Sequence, residues 1–105
     1  MTGYDFHPEA EIDLAEIWEY IADEDASAAD RMIADIRHTL ETLVPFPHQG
    51  HRRPDLTGRP LRFKRARDYL IAYAPDEKPL WVIAVMHGRR SPRVMAAILR
   101  GREER

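Results

Sequence analysis

Apolar residues recur along this chain with a helical period in its first half and a strand period in its second. Tyr4 and Phe6 alternate with Asp5 and His7, the pattern of a short strand with one buried face. Pro8 closes that strand, because proline suits the first turn of a helix and not a central strand position. Ala10, Leu14, Ile17, Trp18 and Ile21 then fall at helical spacing and predict a helix to about residue 23. Glu9 and Glu11 lie in its first turn, where the helix dipole favours acids. Ile12 lies off the stripe, exposed or facing a partner. Asp23-Glu24-Asp25 breaks the pattern, and either Asp25 or Ser27 can cap a second helix. Ser27 with Asp30 resembles a capping box. Ala29, Met32, Ile33, Ile36, Leu40 and Leu43 extend the stripe to about Val44, and Pro45-Phe46-Pro47 ends it. So short a connection makes the two helices an antiparallel hairpin.

From His48 to Pro60 the chain is rich in Gly, Pro, Arg and His without periodicity, which predicts a loop. Leu61 to Arg65 alternates apolar and basic residues, so one face enters a core and the other shows Arg62 and Lys64. Asp68 to Ala74 is a further strand. Pro75 to Pro79 turns it into Leu80 to Met86, seven apolar residues in a row that read as a strand buried on both faces. His87 ends the run and Gly88 bends the backbone. Arg89 and Arg90 follow, and Ser91-Pro92 opens a last helix through Val94, Met95, Ile98 and Leu99 to Gly101. The tail from Arg102 to Arg105 is expected to fray. The order is β-α-α-β-β-β-α. It predicts an α+β domain over residues 1–105, an antiparallel sheet packed against an N-terminal helical hairpin, with a short C-terminal helix.

Composition narrows the setting. With 44% hydrophobic and 32% charged residues the chain is a soluble globule rather than a disordered segment. It has no cysteine, which excludes disulfides and thiolate metal sites. The N-terminus lacks the pattern of a signal peptide and no apolar run reaches membrane length, so a cytoplasmic protein without membrane contact is expected. The net charge of −2 hides a division: residues 1–44 hold twelve acids against two arginines, and residues 45–105 hold fourteen basic residues against six acids. The halves can attract each other within the fold, or the basic half can meet an anionic partner. The corner at His87 to Pro92, with arginines beside a helix N-terminus, suits a polyanionic or acidic one.

Two other clusters read plainly. His48 and His51 sit three apart on a loop with no third ligand in sight, so no metal site is expected. Glu9, Asp13, Glu16, Asp23 and Glu24 keep helical spacing without an opposed partner, which is the pattern of a solvated face.

The first helix, DLAEIWEYIADED, the P…G loop, the short basic strand, RDYLIAY and VIAVMHGRR together resemble the RelE/ParE superfamily of type II toxins, over about residues 4 to 100. The long hairpin and the HGRR end are more similar to the ParE branch. The resemblance implies a small growth-inhibiting toxin held inactive by a cognate antitoxin, with no cofactor. ParE-type members act on DNA gyrase, whereas RelE-type members cut messenger RNA in the ribosomal decoding site. It also implies that the antitoxin's C-terminal segment wraps the hairpin and adds to the sheet.

Carried onto this chain, the antitoxin surface is expected at Ile12, Trp18, Ile36 and Leu40, with Arg62, Lys64 and Arg65. Trp18 and Ile21 read most simply as core. The target surface is expected at Arg67, Arg89, Arg90 and Arg93. In the RelE-like alternative, an endoribonuclease, attack by a 2′-hydroxyl needs a base, an acid and cations at the phosphate. His87 would then serve as acid or base, Arg89 or Arg90 would hold the phosphate with Lys64 or Arg65 across from them on the neighbouring strands, and Tyr73 would stack on a base. The plain alternative for His87 is a strand-end histidine bonded to backbone. Direct contact with nucleic acid belongs to the nuclease reading alone, and a third reading keeps antitoxin binding without toxicity.

Overall fold

The computed structural model describes residues 3–102. Strand β1 spans Tyr4–Phe6, helix α1 Pro8–Ala22 and helix α2 Ala26–Leu43. A 3-10 turn follows at Pro47–Gln49, then β2 at Arg62–Ala66, β3 at Tyr69–Ala74, β4 at Leu80–His87 and helix α3 at Pro92–Arg100. The helix starts are set by side chains. His7 Nδ1 accepts the Glu9 N–H at 3.0 Å ahead of Pro8. Asp25, not Ser27, caps α2 by accepting the Ala28 N–H at 3.1 Å, while Ser27 accepts from Arg31. Ser91 caps α3 through the Val94 N–H.

The sheet order is β1-β4-β3-β2. Strands β2, β3 and β4 form the expected antiparallel meander. β1, however, pairs parallel with β4, Tyr4 opposite Leu80 and Phe6 opposite Val82, so the sheet is mixed. Connectivity explains this. The hairpin and the long loop return the chain to where β2 starts, so β1 and β2 run the same way, and the meander aligns β4 with both.

Each sheet face has its own core. On one, Leu14, Ile17, Ile36, Leu40 and Leu43 of the hairpin pack on Tyr69, Ile71, Tyr73, Val82 and Val85. On the other, Leu56, Leu61, Met95 and Leu99 cover Phe63, Leu70, Ile83 and Met86. That double covering is why β3 and β4 read as continuous apolar runs. Between them the register slips: Ala72 faces Ala84 but Tyr73 faces Val82, which leaves Ile83 as the extra residue of a bulge.

The loop after α2 is tied down by a buried phenol. Tyr73, fully enclosed, donates to the Pro47 carbonyl at 2.7 Å and accepts the Gly50 N–H at 3.1 Å. Arg62 adds a bond to the Gly50 carbonyl at 3.0 Å. Burial pushes the Tyr73 hydroxyl above the usual tyrosine value, against smaller opposing effects of Gly50 and Arg62. The neutral phenol is therefore favoured in the folded chain. Its stabilisation is complete below the unfolded tyrosine value and is lost as pH rises through the folded one. Tyr73→Phe, which orphans both loop groups, is expected to cost about 1–3 kcal/mol in a urea melt. In a phenolate absorbance titration the wild type should show a late-ionising tyrosine that the variant lacks; an unchanged titration would contradict the assignment.

Candidate functional site

The strand that ends at His87 delivers its charged residues to the rim of the sheet. The His87 ring packs edge-on against Tyr69, centroids 5.2 Å apart. Its Nδ1 accepts the Arg89 N–H at 3.0 Å, as His7 Nδ1 does for Glu9 at the end of the neighbouring strand. This is the plain backbone-bonded histidine, and it curls the HGRR segment. The Gly88 N–H donates to the Asp68 carbonyl at 2.7 Å, which stitches the β2–β3 turn to the β4–α3 turn. A Cβ on residue 88 would stand 3.0 Å from Nη1 of Arg65 and 3.1 Å from that carbonyl, so the Arg65 guanidinium lies against the glycine.

Arg65, Arg89, Arg90 and Arg93 are exposed at this rim, and none has an acidic partner among the described residues. Arg67 differs. It adopts a left-handed backbone, φ 53°, and its guanidinium pairs with Asp35 of α2, so it binds the sheet to the hairpin instead of standing free for a target. Arg62 is likewise engaged with the loop, and Lys64 is half-buried on β2.

Of the nuclease candidates, His87, Arg89 and Arg90 share the rim with Arg65, whereas Lys64 and Tyr73 do not join them. Lys64 faces Ile71, two strands from β4. Tyr73 lies four residues along β3 from the partner of His87, about 13 Å away at strand rise, and is buried, so it has no face for a base. The two hydrophobic residues expected on the antitoxin groove of α2, Ile36 and Leu40, are both fully buried against the sheet. Their spacing from Ala29 and Met32 places them on the inward stripe, the reason they offer no surface. Ile12 is exposed, and Trp18 is partly exposed, its indole N–H donating to Asp30 of α2 at 2.8 Å.

One polar cluster was not foreseen. Asp13, expected on a solvated face, is mostly buried, and so is Arg102, expected to fray. Residues 103–105 of that tail lie outside the described residues. The Arg102 guanidinium meets the Asp13 carboxylate at 2.5 and 2.9 Å, with Glu9 at 3.8 Å. The Asp13 hydrogen bonds are the largest effect holding the guanidinium above its ordinary value. β1 pairs only with Leu80 to Val82, so the outer edge of β4 beyond it needs other partners. The Val85 N–H donates to Asp13 at 3.0 Å, and the Ile83 carbonyl accepts from Arg102 at 3.0 Å. The pair thus clasps α1 and the end of α3 across a sheet edge. Above it a cleft of about 560 Å³ opens, lined by Ile17, Tyr20, Tyr69, His87, Arg90 and Ile98. The signal in the sequence was an acid beside an apolar stripe, which any exposed acid shares.

Elsewhere, His48 reaches Asp76 at 3.1 Å and His51 bridges β2 through its backbone. No group of metal-ligating side chains forms among the described residues. No helix in them is long and apolar enough to cross a membrane.

No curated protein matches the sequence. The family model described as ParE toxin of type II toxin-antitoxin system, parDE, matches residues 4–92, which takes in β1 through β4 and the first residue of α3.

Proposed function

Because this chain belongs to the ParE toxin family of type II toxin–antitoxin systems, we propose that it inhibits DNA gyrase in the cytoplasm and is neutralised by its cognate antitoxin. ParE toxins pair with a ParD antitoxin. The observation that carries the gyrase reading is the rim: four exposed arginines without acidic partners among the described residues, one at the end of β2, two on the β4–α3 turn and one on the first turn of α3. Such a surface favours a large anionic partner over a small substrate. The scatter of His87, Lys64 and Tyr73 weighs against the endoribonuclease, which needs its acid, base and cations around one phosphate. For the antitoxin, the exposed Ile12 and the partly exposed Trp18 of α1 are the apolar contacts within reach.

The test is induction of the protein without its antitoxin, with DNA topology and translated messenger RNA followed together. Gyrase-dependent DNA breaks or loss of supercoiling with intact RNA is the expected result. Mapped RNA cuts with gyrase untouched would transfer the chain to the nuclease reading, and no growth effect would leave antitoxin binding alone. His87→Gln is expected to keep toxicity, since His87 serves the backbone in this reading. Loss of toxicity in a folded variant would argue for a histidine-dependent nuclease.

A further inference from the structure

We infer that Arg65, Arg89 and Arg90 form a strip that binds the phosphate backbone of duplex DNA. This rests on the reading of the rim as the target-facing surface and names what it touches: the nucleic acid on which a topoisomerase works. The sequence reserved nucleic-acid contact for a nuclease, and the arrangement of the arginines extends it to a protein without that chemistry.

The strip is built rather than incidental. Arg65 lies against Gly88, where the absence of a Cβ leaves room for its guanidinium, 3.0 and 3.2 Å from where that atom would stand. It shares the face of β2 with Phe63, on the side covered by α3. Arg90 borders the cleft on the opposite side, next to Tyr69 and His87 of the hairpin face. Arg89 lies between them in sequence, at the turn anchored by His87 and Gly88. Arg65 and Arg90 thus mark the two faces of the sheet at this rim, with Arg89 exposed on the turn beside Arg90. Among the described residues, Arg53, Arg67 and Arg102 are each paired with a carboxylate, whereas Arg65, Arg89 and Arg90 are not. Asp68 is the acid on the adjoining turn, and Asp13 and Glu16 lie across the cleft. Their negative charge repels phosphate and so bounds the strip on those sides.

A row of unneutralised guanidinium groups matches an anion that recurs along a polymer, since each fork can take one phosphate. Binding that neutralises three phosphates has a salt slope of about −2.7, so a rise from about 50 to 200 mM salt should weaken it about 40-fold. The experiment is fluorescence anisotropy of a labelled DNA duplex titrated with the full chain over that salt range. The triple variant Arg65→Gln/Arg89→Gln/Arg90→Gln is compared with Arg52→Gln, a loop arginine off the strip, and circular dichroism melts confirm that both fold. Wild type and Arg52→Gln should share the slope, and the triple variant should lose most of it.

Absent wild-type binding at low salt, or a triple variant with the wild-type slope, would overturn the inference. So would a triple variant that keeps its DNA affinity but loses an acidic antitoxin peptide, which would give the strip to that partner. Gyrase inhibition without DNA binding removes this inference and leaves the gyrase reading. DNA binding through the strip with gyrase untouched does the reverse.

Discussion

Arg102→Met is expected to destabilise the folded chain by about 3–5 kcal/mol, the range seen when one member of a buried ion pair is removed and the other left. Here the survivor would be Asp13, with only the Val85 N–H among its bonds remaining. The Ile83 carbonyl would lose its donor in the same step. A domain of ordinary stability, about 5–15 kcal/mol, loses much of its margin to such a change. The double variant Asp13→Asn/Arg102→Met tests the cause. It removes the stranded charge, keeps an amide to accept from Val85, and should recover most of the loss. Guanidinium melts of these two variants, Asp13→Asn alone and the wild type form a double-mutant cycle. If Arg102→Met melted like the wild type, the clasp would be an ornament of the surface. If the double variant were as unstable as the single one, packing of the arginine stem and not charge would be its role.

Leu40→Ala is expected to cost about 2–5 kcal/mol, because Leu40 is wholly enclosed between α2 and the sheet and truncation leaves a cavity there. Ile36→Ala should behave alike, and Ile12→Ala, at an exposed position, should stay within about 0.5 kcal/mol. The series also separates two ways of losing antitoxin binding. An interface residue should weaken the complex with the melt unchanged, whereas a core residue lowers the melt first. A wild-type melting temperature for Leu40→Ala would mean that the hairpin stands off the sheet and that Leu40 is free to line a groove.

Where the sequence could be read, it was through periodicity. The stripes of α1 and α2, the alternation at Leu61 to Arg65 and the apolar run of β4 each carry a local signal, and the elements formed within a residue or two of those limits. The same signal, followed strictly, would have placed Ile36 and Leu40 inside, since both sit on the stripe that holds Ala29 and Met32. Family resemblance drew them outward, and burial returned them. Asp13 and Arg102 were beyond reach for another reason. They are 89 residues apart, and an acid or an arginine has the same local pattern whether it ends in water or in a clasp. Tyr73 shows the limit on aromatic residues, because nothing in YLIAYA separates a phenol that holds a loop from one that stacks on a ligand. The parallel β1 was likewise a property of the path between strands and not of the strand itself.

The extra residue at Ile83 makes β4 two half-strands of opposite phase. In the first half Leu80 and Val82 face the hairpin; in the second Val85 does, with His87 against Tyr69, although an uninterrupted alternation would have sent both of the latter to the α3 side. Ile83 therefore works as a frame adjuster. It decouples the half that docks β1 from the half that aims the rim, so each can change without rotating the other. Were Ile83 paired in register instead of bulged, everything on one side of it would invert: the Val85 N–H would turn from Asp13 toward β3, and the arginines after His87 would leave the sheet rotated by half a turn. The bulged pairing of this one strand, as much as its residue types, sets the direction in which the protein presents its charge.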